Sequence, residues 1–263
     1  MPASNSDIIV NNEVTQFRDF ISSATPVDGQ LGLTHVTDCA RLASLVQSEK
    51  LEPRPCDVFG ENLVYLFYGR PAYRRPWPGD ATSNLDYARI CLIMRDAVAE
   101  RAHRILPFDS GGYQRYAGAF HDTLDIADFE LAKGDHPLKL IGAFYESLEN
   151  YWTMRPIQPR EFPATQNVVR SYYQLITGGL AEAFDDRCAA IEVQLNEALP
   201  LEGEVLAVVG PNQIFDDPAV TALLDKWGAE PRGYRLTHMF NPPETSARLT
   251  AEVERFLEDR GWL

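Results

Sequence analysis

Basic residues are scarce in this chain: 24 Lys and Arg stand against 38 Asp and Glu, a formal net charge of −14. Proteins that coat nucleic acid by bulk electrostatics rely on clustered cations, so that class is disfavoured. Long apolar runs are missing too. No stretch approaches the roughly 18 to 20 residues of a membrane span, and the opening MPASNSDIIVNNE has neither a basic nor an apolar leader segment. These absences predict a cytoplasmic protein with no membrane partner. The four cysteines, Cys39, Cys56, Cys91 and Cys188, lack CxxC and CxxH spacing, so ordinary thiols are expected, with no disulfide framework and no metal site. The letters also lack GxGxxG after a strand, GxxxxGK[ST], HExxH, GxSxG and an EF-hand loop. That excludes the usual dinucleotide dehydrogenases, P-loop NTPases, zincins and α/β-hydrolases.

What is present reads as one packed domain, because 45% of the residues are hydrophobic and Pro and Gly are spread along the chain. EVTQFRDFISS (13–23) has helical spacing. LGLTHVT (31–37) reads as a strand, followed by a helix capped by Thr37 or Asp38 and ended by Pro53. NLVYLFY (62–68) and YARICLIM (87–94) read as strands, with a short helix over 96–104 and a strand RILPFDSGGY (104–113) running into a Gly-Gly turn. Residues 114–165 change character and are expected to form an inserted helical segment on one side of the core, with a helix near 138–151. Beyond it come a helix (166–176), strands at 188–195 and 204–210, a helix (217–227), the strand GYRLTHM and a last helix capped by Thr245. Strands at irregular spacing with helices between some of them predict an α+β fold.

Polar residues within apolar strands must be satisfied or functional. His35 stands mid-strand between Thr34 and Thr37, as a core imidazole or a ligand. Glu192 stands in AAIEVQL, where period-2 alternation groups it with Gln194 and leaves open either a solvent-facing or a working carboxylate. Arg70, Arg74 and Arg75 lie in an acid-free window from Leu63 to Pro78, suited to phosphate or nucleotide binding or simply to a solvated loop. Tyr65, Phe67, Tyr68 and Tyr73 could stack a planar ring or fill the core.

In chain order, LTHVTDCARLASLVQSEKLEP, LVYLFYGRPAYR, ICLIM with RILPFDSGG, and RCAAIEVQLNEALPLEGEVLAVV resemble successive motifs of the ADP-ribosyltransferase fold, and within it the DarT-like toxins that transfer ADP-ribose from NAD to single-stranded DNA. The likeness covers roughly residues 31–210 without the 114–165 insertion, leaving 211–263 as a C-terminal α/β extension of a single domain. It implies a split β-sheet core and an NAD-dependent ADP-ribosyltransferase with NAD as co-substrate. Glu192 then takes the place of the catalytic glutamate, and Arg70 that of the catalytic arginine. His35 corresponds to the residue that bonds the NAD ribose, Thr37 follows it in the motif, and Tyr65, Tyr68 and Tyr73 are the candidates to lie against nicotinamide or its ribose. A role as a toxin or antiviral defence effector with an antitoxin or regulatory partner is implied by the likeness alone. Arg70 is followed by Pro-Ala-Tyr where the family has Ser-Pro-Met, and the turn reads FDSGG where the family has TDGN. With the acidic balance, these departures leave the acceptor open among DNA, RNA, protein and small molecules. Competing readings are an NAD glycohydrolase on the same fold, with water as acceptor, and a non-enzymatic binding module. A metal nuclease using Asp109 and Glu130 lacks the spaced acid and Lys constellation it would need.

Overall fold

The computed structural model describes residues 16–72, 77, 79–178 and 186–263; the side chains of Tyr116 and Ala119 are not described. Tyr73, Arg74 and Arg75, singled out in the sequence, lie outside these residues, as does the start of the first expected helix. The fold is α+β. Ten strands occur among the described residues: β1 (Leu33–Asp38), β2 (Lys50–Leu51), β3 (Arg54–Pro55), β4 (Asn62–Tyr68), β5 (Arg89–Met94), β6 (Arg104–Leu106), β7 (Glu192–Leu195), β8 (Leu199–Pro200), β9 (Val205–Pro211) and β10 (Glu230–Tyr234). The helices are α1 (Phe17–Ser22), α2 (Leu42–Ser48), α3 (Tyr113–Tyr116), α4 (Pro137–Phe144), α5 (Leu148–Trp152), α6 (Asn167–Ile176), α7 (Pro218–Trp227) and α8 (Pro242–Asp259). None of them is long and apolar enough to cross a membrane.

The main sheet has the order β10-β9-β5-β1-β4-β7-β6, with β3 on the edge of β4, and β2 and β8 form a separate pair. Its β-branched and aromatic strands supply the central side chains, which suit a sheet buried on both faces. All pairs are antiparallel except β9 with β10. The centre of the sheet is uneven. β1 runs beside β5 through six partner pairs, from Leu33↔Met94 to Asp38↔Arg89, but it meets β4 only at Leu33↔Tyr68 and Thr34↔Phe67. Beyond that root the two strands diverge and the sheet forks. Gly69 ends β4 in the left-handed region, at φ 66°, and its N–H donates to the Gly32 carbonyl at 2.9 Å. A Cβ at Gly69 would stand 2.7 Å from Leu31 Cδ1, so the root admits no side chain there.

Several local expectations shift. Asp38 does not cap the helix after β1: its carboxylate is taken by Arg89, its cross-strand partner, and a turn of 3₁₀ helix (Cys39–Arg41) precedes α2. Thr37 does not cap it either. That helix stops at Ser48, well before Pro53, because Glu49 turns left-handed, at φ 52°, and the chain enters β2. The segment 96–101 is 3₁₀ and not α, and the strands expected over 188–195 and 233–239 shorten or shift to β7 and β10. Thr245 lies inside the first turn of α8, where its hydroxyl donates to the Pro242 carbonyl at 2.7 Å; Asn241 is the N-cap. The expected 138–151 helix is two helices, α4 and α5. Residues 114–165 also do not merely sit beside the core. Phe120, Phe129, Phe144 and Tyr151 join the same buried cluster as the sheet residues Leu66, Tyr68 and Ile105. Phe17 of α1 packs edge-on against Phe129 and Tyr172, ring centroids 5.9 and 5.5 Å away.

Candidate functional site

The fork opens into a cleft of about 730 Å³, bordered by β1 and α2 on one side and by β2, β3 and β4 on the other. That volume lies within the usual range of small-molecule sites. His35, Thr37, Tyr65 and Glu192 all line it, so four of the residues picked from sequence meet at one place.

Glu192 sits at the start of β7 and is fully buried, which excludes the solvent-facing alternative. Its two oxygens are held from different sides. The Ser110 backbone N–H donates to Oε2 at 3.1 Å, and Gln194 Nε2 donates to Oε1 at 2.5 Å. Ser110 is presented by the turn after β6. There Asp109 accepts the Gly111 N–H at 2.9 Å through Oδ1, and its other oxygen lies 3.4 Å from Arg187 Nη1. The FDSGG letters therefore build a donor aimed at the carboxylate. Burial raises the pKa of Glu192 above the ordinary carboxylate range, the Asp109 charge adds to the rise, and the hydrogen bonds from Ser110 and Gln194 oppose it.

His35 works at the split itself. Its Nδ1 lies 2.9 Å from the Tyr65 carbonyl oxygen, which can only accept, so Nδ1 carries the proton. Burial holds the imidazole pKa below its usual value, with a smaller push from Arg54 and an opposing bond to Tyr65. A neutral ring protonated on Nδ1 leaves Nε2 as an acceptor. Tyr65 and Thr37 border the same space, and burial raises the Tyr65 phenol so that it stays protonated.

Of the remaining sequence candidates Asp109 also lines the cleft, whereas Tyr68, Arg70 and Glu130 lie elsewhere. Tyr68 is fully buried and does not border the cleft; its hydroxyl donates to Asp96 at 2.6 Å and its carbonyl accepts from Tyr151 at 2.9 Å. Of the tyrosines expected against the substrate ring, Tyr65 is at the cleft and Tyr68 is not, and Tyr73 lies outside the described residues. Arg70 is buried and also does not border it. Its Nη2 lies 3.3 Å from Asp186, its guanidinium carbon 6.0 Å from the Tyr151 ring centre, and its Nη1 is buried without a hydrogen-bond partner. Asp109 and Glu130, the two acids of the nuclease reading, pair with different arginines, Arg187 and Arg104. Among the described residues no three His, Cys, Asp or Glu gather as a metal-binding group.

The sequence reading missed two cleft residues, Arg41 and Arg54. Both are exposed, and among the described residues neither has an ion-pair partner, whereas Lys50 beside them is paired with Glu52 at 2.7 Å. Nothing in the letters marks them, since Arg41 reads as a helix position and Arg54 as a lone cation before Pro55. The cleft thus has unpaired cations at its edge and a carboxylate at its floor. Comparison with protein-family models and with curated proteins returns no match.

Proposed function

We propose that this cleft binds NAD and cleaves its nicotinamide–ribose bond, passing the ADP-ribosyl group to an acceptor, on an ADP-ribosyltransferase-like split-sheet core. The observation that carries the reading is Glu192, a fully buried carboxylate at the floor of a ligand-sized cleft, held by two donors. The fork between β1 and β4 and the order of the four resembling segments support the same reading.

The residues fit such a substrate in kind. Arg41 and Arg54 supply the charge that a diphosphate needs at the open side of the cleft. His35 Nε2 accepts a hydrogen bond from a ribose hydroxyl. Tyr65 offers an aromatic wall and Thr37 a hydroxyl for orientation. Glu192 stabilises the positive charge that develops on the ribose as the glycosidic bond breaks. Its position is set beforehand by Ser110 and Gln194, so no reorganisation is needed at the moment of reaction. Because burial favours the protonated acid, the cationic nicotinamide ring and the ionised Glu192 stabilise one another, and substrate binding draws the proton off. The ionised carboxylate can then accept the proton of an attacking hydroxyl or amine. Arg70 acts from behind the cleft wall, as a support held by Asp186 and the Tyr151 ring and not as a phosphate contact.

The test is to incubate the purified chain with labelled NAD and follow nicotinamide, with Glu192→Gln as control and single-stranded DNA, RNA and lysate protein offered in turn. Release that disappears in the variant, with label on one acceptor, is the expected result and names the acceptor. Release with label only in free ADP-ribose selects the glycohydrolase. No release with any acceptor, and no thermal shift by NAD, overturns the reading in favour of a binding module.

A further inference from the structure

We infer that Arg104 is a positioning residue for Glu192, acting through the side-chain amide of Gln194. The cross-strand register puts the parts in line: Arg104 of β6 is opposite Gln194 of β7, and Glu192 is one pleat along on the same face. Arg104 Nη1 lies 2.7 Å from Gln194 Oε1. A guanidinium has donors and no acceptor, so it can face only the carbonyl end of the amide. The NH₂ end is thereby turned to Glu192 Oε1 at 2.5 Å, with Ser110 Oγ 3.4 Å away. Without this constraint the amide is free to flip, which would set its oxygen against a carboxylate oxygen. The contact would then survive only if Glu192 took up a proton.

Arg104 is itself fixed. It pairs with Glu61 at 2.8 Å and with Glu130 at 3.4 Å, and its guanidinium carbon lies 4.0 Å from the Phe59 ring centre. Two stretches of chain, 59–61 and the one holding Glu130, therefore fix through Arg104 the rotamer of one amide. The other polar groups facing Glu192 are Asp109 and Ser110 on the turn after β6 and Tyr65 on β4. Arg187 lies behind Asp109, and His103 beside Arg104 faces Glu61 at 3.3 Å. Of these, the Gln194 amide is the donor whose orientation has two stable choices. Arg104 makes the choice.

The inference rests on the proposed function only for its effect on rate, so the test reads the carboxyl directly. The full chain is labelled with ¹³C-carboxyl glutamate, the Glu192 signal is identified by its loss in Glu192→Gln, and its titration midpoint is followed by NMR. Arg104→Met and Gln194→Met are each expected to raise the midpoint by about one pH unit, the scale of one lost hydrogen bond to a charged group. The double variant should go no higher than the larger single one. Arg104→Lys, also donor-only, should keep the wild-type midpoint. Arg104→Gln, which can accept as well as donate, replaces Arg104→Met where the latter does not fold and is expected to move the midpoint the same way. An unchanged midpoint in Arg104→Met or Arg104→Gln overturns the inference, and so do additive shifts in the double variant, which would mean that Arg104 acts as a distant charge. In the rate assay, the alkaline displacement of the nicotinamide-release profile should follow the NMR midpoint. A chain that cleaves no NAD at any pH would sink the proposed function and leave the midpoint result standing.

Discussion

His35 and Tyr65 are joined side chain to main chain across the fork, with the imidazole Nδ1–H donating to the carbonyl at 2.9 Å. Regular antiparallel pairing would continue past Thr34↔Phe67, but no further β1–β4 partners form. The imidazole satisfies a carbonyl that the departing strand leaves behind, and a buried carbonyl left unpaired is costly. One side chain thus serves both the fold and the cleft.

Two variants separate these duties. His35→Ala removes the bond to Tyr65 and is expected to cost about 1 to 3 kcal/mol, measured by denaturant melting. His35→Asn keeps a donor for the Tyr65 carbonyl but has no counterpart of Nε2. It should melt close to wild type while NAD affinity falls about tenfold, the worth of roughly 1.4 kcal/mol. Equal loss of stability in both variants, with affinity unchanged in His35→Asn, would remove His35 from the binding site.

Glu192→Gln is expected to lower nicotinamide release by about 10² to 10³-fold, the usual effect of losing one preorganised electrostatic group. Its stability should move the other way. The folded-state pKa of Glu192 is raised, so wild-type stability falls as pH climbs from the ordinary carboxylate value to the folded one and is level above that. The variant lacks this loss and should melt higher than wild type at alkaline pH, with little difference at pH 4. For the same reason wild-type activity should rise with pH through a range above the ordinary carboxylate value. A profile flat from pH 5 to 9 would contradict the assignment.

Arg41→Gln with Arg54→Gln should raise KM for NAD about tenfold or more, since each arginine offers a charge-assisted bond worth roughly 1.5 to 3 kcal/mol. The value of kcat should stay near wild type. Steady-state kinetics on NAD beside nicotinamide riboside, which lacks the diphosphate, makes the check specific. A KM increase shared by both substrates would mean that the arginines shape the cleft and do not contact phosphate.

Arg70→Ala removes a buried cation from Asp186 and Tyr151. A loss of about 1 to 3 kcal/mol is expected, less than for a wholly buried pair because Asp186 is one-third exposed. Release of nicotinamide should also fall. Arg70→Lys distinguishes the two effects: it should recover most of the melting temperature and little of the rate, because an ammonium can pair with Asp186 but cannot reproduce the planar guanidinium held over Tyr151. Full recovery of rate in Arg70→Lys would assign Arg70 a purely structural part.

Asp96 ties Tyr68 to α4, accepting from the Tyr68 hydroxyl at 2.6 Å and lying 3.1 Å from His136 Nε2. Burial pushes its pKa up, but the bonds from His136 and Tyr68 outweigh that and hold it below the usual value. A depressed carboxylate contributes stability above its unfolded pKa and loses it as pH falls through the folded one. Asp96→Asn should therefore melt lower than wild type at pH 7, with the gap closing below pH 4.

Elements governed by local pattern were legible in the sequence. The apolar strands β4 and β5 and the helix α7, with Pro218 after the capping Asp217, stand close to their expected bounds. Features decided by distant partners were not. Asp38 has the letters of a helix cap, yet Arg89, 51 residues on, captures it. Alternation placed Glu192 and Gln194 on one face but could not say that the 109–112 turn covers that face. The aromatic residues of 114–165 look like an appendage until Phe17 and Tyr172 are seen packed among them. In the site, the strand-borne His35 and Glu192 were legible because a polar group in an apolar run stands out, and Tyr65 because an aromatic there can stack a planar ring. Arg41 and Arg54 were not, because their meaning lies in the absence of partners, which only folded geometry reveals.

The fork also behaves as a pair of tongs. β1 and β4 are clasped at Leu33↔Tyr68 and Thr34↔Phe67, and beyond the clasp each arm is braced on its outer side, β1 by β5 and β4 by β7. The spacing of the arms is thus set by the packing at the hinge, where Gly32, Gly69 and Leu31 touch, together with the two outer strands. The width of the cleft therefore depends in part on buried apolar positions that do not line it.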